Sequence, residues 1–412
     1  MLIHKGHRFR LDLSEEQAVL CSRTAGICRW LWNLALEQRG MAWRHGQHAV
    51  GFAAQCAELP GLKAAAPWVG EAPSHCLQQT LRDLDQAFQN FFSGRAAYPV
   101  FHKKYQRDSF RFPDANQFVV DVAGGRFKLP KLGWVNIRNG KGRHALKLSG
   151  KPKSVTVSRE GKHWFASVLC ELEAPEPKPV QGPPVGVDLG VVQAITLSTG
   201  EVLAVLDRSR AEDRKLARLQ HSLSRKQKGS KNRSKARTGL AGFHIRTSRR
   251  RRDACHKATT KLAQNHSLIV IEDLRVKAMT ASAKGTLAAP GRNVKAKAGL
   301  NRAILHVAFA EIRRQLEYKC RWYGSTLVVV NPAHTSQRCW QCGHTEAGNR
   351  PSQAVFLCRC CGHGENADVN AAQNILARGT AEGTPVAVCG AMPSGGRRNR
   401  NPSARAVRIP FL

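Results

Sequence analysis

The first dozen residues, MLIHKGHRFRLD, read as a β-strand, after which the apolar period changes. Ser14-Glu15-Glu16-Gln17 has the form of a capping box, and Leu20, Ile27, Leu31 and Leu34 recur at helical spacing, so a helix follows. Past a break near Pro60 and Pro67, Leu77, Leu81, Leu84, Phe88 and Phe91 recur at i+3/i+4 steps over 74–92, a second amphipathic helix that Tyr98-Pro99 ends. From Phe110 to about Leu172 the pattern is one of short alternating strands. The clearest is a hairpin: 154–158, a turn at Arg159-Glu160-Gly161-Lys162, then Trp164, Ala166, Val168, Cys170 and Leu172 on one face. These strands suit a small barrel, and because the opening strand precedes the helices, the helical block is expected to be inserted into it.

A Pro-rich stretch, EAPEPKPVQGPP at 173–184, reads as a linker. Beyond it, VGVDLGVVQAITLSTGEVL reads as two apolar strands joined at Ser198-Thr199-Gly200. Long helical segments, the buried strand SLIVIED, a helix through Ile312 and Leu316, the strand STLVVV, a cysteine cluster and a short helix follow. Strands alternating with helices imply an α/β domain with a mixed sheet. The stretch after Arg378, rich in Gly, Pro, Asn and Arg, reads as a disordered basic tail.

At 412 residues the chain has room for two to four domains, and its 42% apolar content is that of a folded protein. The formal net charge of +36 is far beyond what solubility needs and makes a dense polyanion the natural partner. Anionic membrane surfaces fit less well, because no apolar run approaches the roughly 20 residues of a spanning helix. The opening segment also lacks the apolar stretch of a signal peptide. A cytoplasmic, more exactly nucleoid-associated, protein is expected. Of thirteen cysteines, eight are dispersed and five lie between Cys339 and Cys361. That distribution fits a reducing compartment with one metal site, the dispersed thiols such as Cys21, Cys28 and Cys170 being small core residues.

Cys339-Trp-Gln-Cys342, fifteen residues, then Cys358-Arg-Cys-Cys361 has zinc-ribbon spacing, in which two knuckles supply four thiolates to one structural Zn²⁺. Cys360 offers a second register; Cys361 is preferred because Gly362 then follows the second pair as Gly343 follows the first. A site of this kind is closed and has no catalytic position.

Three separated acidic blocks hold the candidate chemistry. Asp188 interrupts an apolar strand between two glycines, and a buried carboxylate is costly without a cation. Glu272 closes Leu268-Ile-Val-Ile271, with Asp273 as its rival. Asp368 precedes a helical run, where an N-cap would be the simplest role. Singly, each has a plain structural explanation; together, in strand, strand, helix order, they favour a shared site. Three carboxylates suit two Mg²⁺ ions about 3.5–4 Å apart and phosphodiester hydrolysis. No nucleophilic triad or P-loop competes. Between Arg225 and Arg252 stand twelve Lys or Arg and no acid, a self-repelling run unless phosphates neutralise it. Its candidate nucleic-acid contacts are Arg225, Lys226, Lys228, Lys231, Arg233, Lys235, Arg237, Arg249, Arg250, Arg251 and Arg252. Aromatic residues among basic ones near Tyr98, Tyr105 and Phe110 suit base stacking or core packing equally.

Read together, these motifs resemble the TnpB family of bacterial insertion sequences, related to the type V CRISPR effectors. The similarity runs nearly end to end: FRLDLSEEQ, LQQTLRDLDQAFQNFF, FKLPKLGWV, GVDLG, SLSRKQKGSKNRSKAR, DACHKATTKLA, VIEDL, RQLEYKCRWYG, TSQRCWQCG and FLCRCCGHGENADVNAAQNI, in that order. The resemblance implies an RNA-guided endonuclease that binds a guide RNA encoded by the element and cuts double-stranded DNA beside a short motif. It implies an α+β multidomain fold: a wedge-like β-barrel at 1–12 and 96–180, a helical recognition lobe inserted at 13–95, and a RuvC-like nuclease domain of RNase H-type fold at 183–378. A zinc ribbon at 333–363 lies within the nuclease domain, and a basic tail fills 379–412. The catalytic triad implied is Asp188, Glu272 and Asp368, and Gln78 matches a position that contacts target-adjacent DNA. Asn366-Ala-Asp368 departs from the Asp-Arg-Asp of many members, which leaves Asp368 as the single acid there, and Cys360 is an addition. An RNA-guided silencer and a strand-joining transposase are the competing readings; the first would be expected to lack a carboxylate, and nothing resembles a catalytic tyrosine motif.

Overall fold

Strand β1 (Leu2–Asp12) leads into helix α1 (Glu15–Gly46) through the reciprocal bonds of a capping box. The Gln17 amide donates to Ser14 Oγ at 3.2 Å and the Ser14 amide to Gln17 Oε1 at 3.1 Å. The computed structural model describes residues 1–46, 48–106, 108–138, 146–205 and 209–381. These fall in two units, Met1–Glu176 with Arg208–Arg249, and Pro177–Asp207 with Arg250 onward.

In the first unit α1 is followed by α2 (Phe52–Ala57), α3 (Leu59–Ala65) and α4 (Ser74–Phe92). The buried stripe of α1 runs through Cys21, Ala25, Cys28, Trp32 and Ala35, so Leu34, counted in the stripe from spacing, lies 37% exposed instead. Leu77, Leu81, Leu84 and Phe88 of α4 close a core with Leu31 and Leu36 of α1. Strands β2 (Ser109–Phe112), β3 (Val119–Asp121), β4 (Arg126–Leu129), β5 (Gly133–Ile137), β6 (Lys151–Glu160) and β7 (His163–Glu173) complete the unit's sheet. Its seven strands are antiparallel in the order β2-β6-β7-β1-β5-β4-β3. Strand β1 is therefore internal, with Ile3 opposite Leu172 and Leu11 opposite Ile137. Alternate residues Phe110, Phe112, Val155, Val157, Ala166, Val168 and Cys170 face the core, together with Cys21 and Cys28 of α1. Each large apolar side chain so buried contributes roughly 1.5–3 kcal/mol.

The second unit opens with β8 (Val185–Asp188), β9 (Ile195–Leu197) and β10 (Val202–Leu203). Helix α5 (Arg210–Ser224) belongs to the first unit, and α6 (Lys231–Asn265) crosses the division. Then come β11 (Leu268–Glu272), α7 (Val276–Met279), α8 (Val294–Val307), α9 (Phe309–Tyr323) and β12 (Thr326–Val330). The hairpin β13 (Val355–Leu357) and β14 (Gly364–Asn366) precedes α10 (Ala367–Ala381). The five-stranded sheet has the order β10-β9-β8-β11-β12, with β8, β11 and β12 parallel. Both of its faces are covered, which is why β11 reads as an unbroken apolar run. Ile269 and Ile271 pack with Leu262 of α6 and with Ile312 and Leu316 of α9. Val270, on the other face, packs with Val328, Val330 and Ile375 of α10.

Helix α10 comes very close to that second face. A Cβ on Gly186 of β8 would sit 2.0 Å from the Ala372 carbonyl oxygen, and one on Gly379 of α10 would sit 2.4 Å from Val270 Cγ1. α10 runs on to Ala381, past the start of the expected tail, and the rest of that tail lies outside the described residues. Among the described residues no helix is long and apolar enough to cross a membrane.

Candidate functional site

The ends of β8 and β11 and the start of α10 meet at the rim of the second unit's sheet. The register that sets Ile271 beside Val187 puts Asp188 and Glu272 at the ends of neighbouring parallel strands. Glu272 is 9% exposed, and its Oε1 accepts from Thr335 Oγ1 at 2.5 Å. Asp273, one step along, is drawn elsewhere: its amide donates to the Val330 carbonyl at 2.8 Å and its half-exposed carboxylate pairs with Arg313 at 2.5 Å. That geometry separates the two rivals and leaves Glu272 beside Asp188.

The helix cap is supplied by Asn366, whose Oδ1 accepts from the amides of Asp368 at 3.0 Å and Val369 at 3.3 Å. The capping role considered for Asp368 therefore falls to Asn366. The Asp368 carboxylate instead accepts from Arg350 Nη2 at 3.0 Å.

Burial, then the charges of Glu272 and Asp368, push the Asp188 carboxyl up to about 7, against the opposing pull of Arg350 and the Leu189 amide. Burial likewise raises Glu272, opposed by the Thr335 hydroxyl and Arg378. A low-dielectric place where burial and two neighbouring carboxylates disfavour ionisation of Asp188, built from hard oxygen donors, fits a divalent cation such as Mg²⁺.

Arg350, Thr335 and two asparagines had not stood out from the sequence. Asn374 donates to the carbonyls of Thr335 at 3.1 Å and Arg338 at 2.6 Å, and Asn370 donates to Arg338 at 2.8 Å and accepts from the Trp340 amide at 3.2 Å. One face of α10 thus tethers the loop that supplies Thr335 and the first cysteine pair. Asparagine is a poor helix former, so Asn370 and Asn374 at i, i+4 in an Ala-rich helix were the available signal.

Cys339, Cys342, Cys358 and Cys361 converge, with all four Sγ atoms within 4.8 Å of one another. The Cys339–Cys361 and Cys342–Cys358 separations are 3.7 and 3.6 Å, close to the edge of about 3.8 Å of a tetrahedron with 2.3 Å Zn–S bonds. The two knuckles match: the Cys339 amide bonds the His344 carbonyl and the Gly343 amide that of Cys339, as Cys358 does with His363 and Gly362 with Cys358. Gly343 and Gly362 adopt φ of 77° and 75°, the left-handed turn that glycine tolerates. Cys360 is exposed and outside the group.

Members of the basic run differ in their surroundings. Arg233 Nη1 donates to the carbonyls of Leu223 at 3.0 Å and Lys226 at 2.6 Å, closing the α5–α6 turn. Arg249 pairs with Glu160 at 2.7 Å, and Arg251 reaches the carbonyls of Leu305 and His306. Arg237 lies 6.0 Å from the Tyr105 ring centroid. Arg225, Lys228, Lys231, Lys235, Arg250 and Arg252 are exposed and Lys226 half-buried, while Gln78 is exposed on α4. Side chains that hold helices look no different in sequence from those that stay exposed.

Three family models match: one described as "Probable transposase" over residues 167–283, one as "Cas12f1-like, TNB domain" over 309–375, and one as "Helix-turn-helix domain" over 1–48, here β1 and α1. The chain is 42% identical, over 95% of each sequence, to a protein of Escherichia coli (strain K12) named RNA-guided DNA endonuclease InsQ. It is 36% identical to one of Streptomyces pristinaespiralis named RNA-guided DNA endonuclease, over 92% of this chain and 90% of the other. A chain of the solved Cas12f1–sgRNA–target DNA complex shares the fold at a TM-score of 0.52 and 12% identity, covering 91% of this chain and 98% of that one. Identity of this level along nearly the whole length places the chain in the TnpB (OrfB) family of RNA-guided DNA endonucleases.

Proposed function

We propose that this chain is the RNA-guided DNA endonuclease of a bacterial insertion sequence, acting at the nucleoid and cutting double-stranded DNA next to a short target-adjacent motif. The observation that carries the reading is Asp188, a carboxyl pushed up to about 7 by burial and by Glu272 and Asp368. In this reading residues 183–378 form a RuvC-like domain of RNase H type, supported by the mixed sheet with carboxylates on its central parallel strands. Residues 1–12 and 96–180 form a barrel-like wedge, and 13–95 the recognition lobe that holds guide RNA and, through Gln78, target-adjacent DNA. The exposed cations of the 225–252 run bind nucleic-acid backbone.

Asp188, Glu272 and Asp368 would hold two Mg²⁺ ions, which when bound supply an activated water and charge stabilisation at the leaving oxygen. Thr335 fixes the Glu272 carboxylate and Arg350 that of Asp368. The buried setting excludes bulk water and strengthens each of these interactions. Protein purified with its RNA should cut DNA matching that RNA in Mg²⁺ and stop when EDTA is added. Sequencing the RNA names the target to test, and cutting that ignores the RNA sequence would reject guidance.

The four thiols would hold one structural Zn²⁺. Elemental analysis should find one zinc per chain. Cys358→Ser should lose it and destabilise the second unit, whereas Cys360→Ser should keep it; zinc loss in the second variant would move the register.

A further inference from the structure

A cavity of about 270 Å³ opens beside Glu272 within the second unit. Leu189, Ile271, Leu274 and Phe309 give it apolar walls, and Arg313 and Arg314 line it as well. Glu272 is itself part of the lining, so an occupant would lie beside that carboxylate of the proposed site.

The two arginines are poor phosphate seekers, because carboxylates already hold their N–H edges. Arg313 is bonded by Asp273 and Glu317, and Arg314 by both oxygens of Glu311, at 2.9 and 2.7 Å. A guanidinium satisfied along its edge keeps flat faces, which stack on aromatic planes. Glu272 and Glu317 add negative charge to the lining and disfavour an anion further. Apolar walls, flat cations and a volume just under the ~300–1,000 Å³ range of ligand sites suit one planar, weakly polar ring system.

We propose that this cavity seats one unpaired nucleobase next to the phosphodiester being cut, so that the DNA strand must be unstacked at that nucleotide to react. The proposal rests on the nuclease reading above.

An abasic nucleotide walked along the cut strand tests this with the wild-type protein, its RNA and matched DNA. Cutting should slow roughly 5- to 150-fold at one position adjoining the cut and little elsewhere, the range that one stacked base confers. Ala310 lines the cavity and is exposed on α9, so Ala310→Trp should fill the space. That variant should cut intact DNA more slowly by a similar factor, bind target DNA within about 2-fold, and show no further loss at the abasic position. A flat abasic profile with cutting intact overturns the cavity's role and leaves the nuclease reading standing. An Asp188→Ala variant that still cuts overturns both.

Discussion

Asp188→Asn should leave the guide RNA bound and lower DNA cutting by at least ~10³-fold. Asparagine keeps the shape of the side chain and removes the anionic oxygen. The transition-state charge stabilisation that depends on such a ligand is worth several kcal/mol, at 1.36 kcal/mol per factor of ten. The same substitution should act in the opposite sense on stability. Burial first, then Glu272 and Asp368, raise the Asp188 carboxyl from 3.8 to about 7, so the folded chain binds that proton more tightly than the unfolded chain does. Its contribution to stability is fully present below about pH 4 and is lost as pH rises towards 7. Asparagine has no charge to bury. In EDTA at pH 8 the variant should therefore melt above the wild type, and at pH 4 the two should nearly coincide. Retained cutting, or a lower melting temperature than wild type at pH 8, would count against a buried carboxylate cluster.

Gly186→Ala should slow cutting by roughly 10²-fold although it touches no carboxylate. The added Cβ would lie 2.0 Å from the Ala372 carbonyl oxygen and 2.8 Å from Leu376 Cβ. Backbone meets backbone there, so no rotamer change relieves the clash, and α10 has to move away from β8. Overpacking of this kind costs about 1–3 kcal/mol. Because Asp368 stands in the first turn of α10 and Asp188 two residues past the glycine, the shift also separates the acids, and displacement near 1 Å can cost ~10²-fold. Gly61→Ala is the control, since nothing lies within 4 Å of its Cβ position. Melting temperature and cutting rate measured together decide the matter; a Gly186→Ala protein equal to wild type in both would show that α10 does not need this approach.

The sequence made the strand ends and the helix start legible because each acid interrupts or closes an apolar run of clear period. The paired knuckles were legible for a similar reason, since spacing and following glycine are both local. Arg350 and Thr335 were not, because they lie on irregular segments between β12 and α10, where no periodicity marks a side chain as turned inward. Arg233, Arg249 and Arg251 show the converse limit: a charge run records composition, and not which members will be engaged by carbonyls of the adjoining turn, as Arg233 is, or by groups far along the chain, as Arg249 and Arg251 are. The resemblance already favoured Glu272 over Asp273, but that the Asp273 carboxylate is held by Arg313, forty residues on, was not visible in the sequence.

The internal place of β1 bears on how the chain is made. Its neighbours β5 and β7 leave the ribosome more than a hundred residues after it, which at ~5–20 residues per second is on the order of ten to thirty seconds for β7. The helical block 15–92 can pack around its own apolar centre during that wait. The first strand synthesised is thus among the last to find partners, and the central seam of its sheet is a late event in biosynthesis.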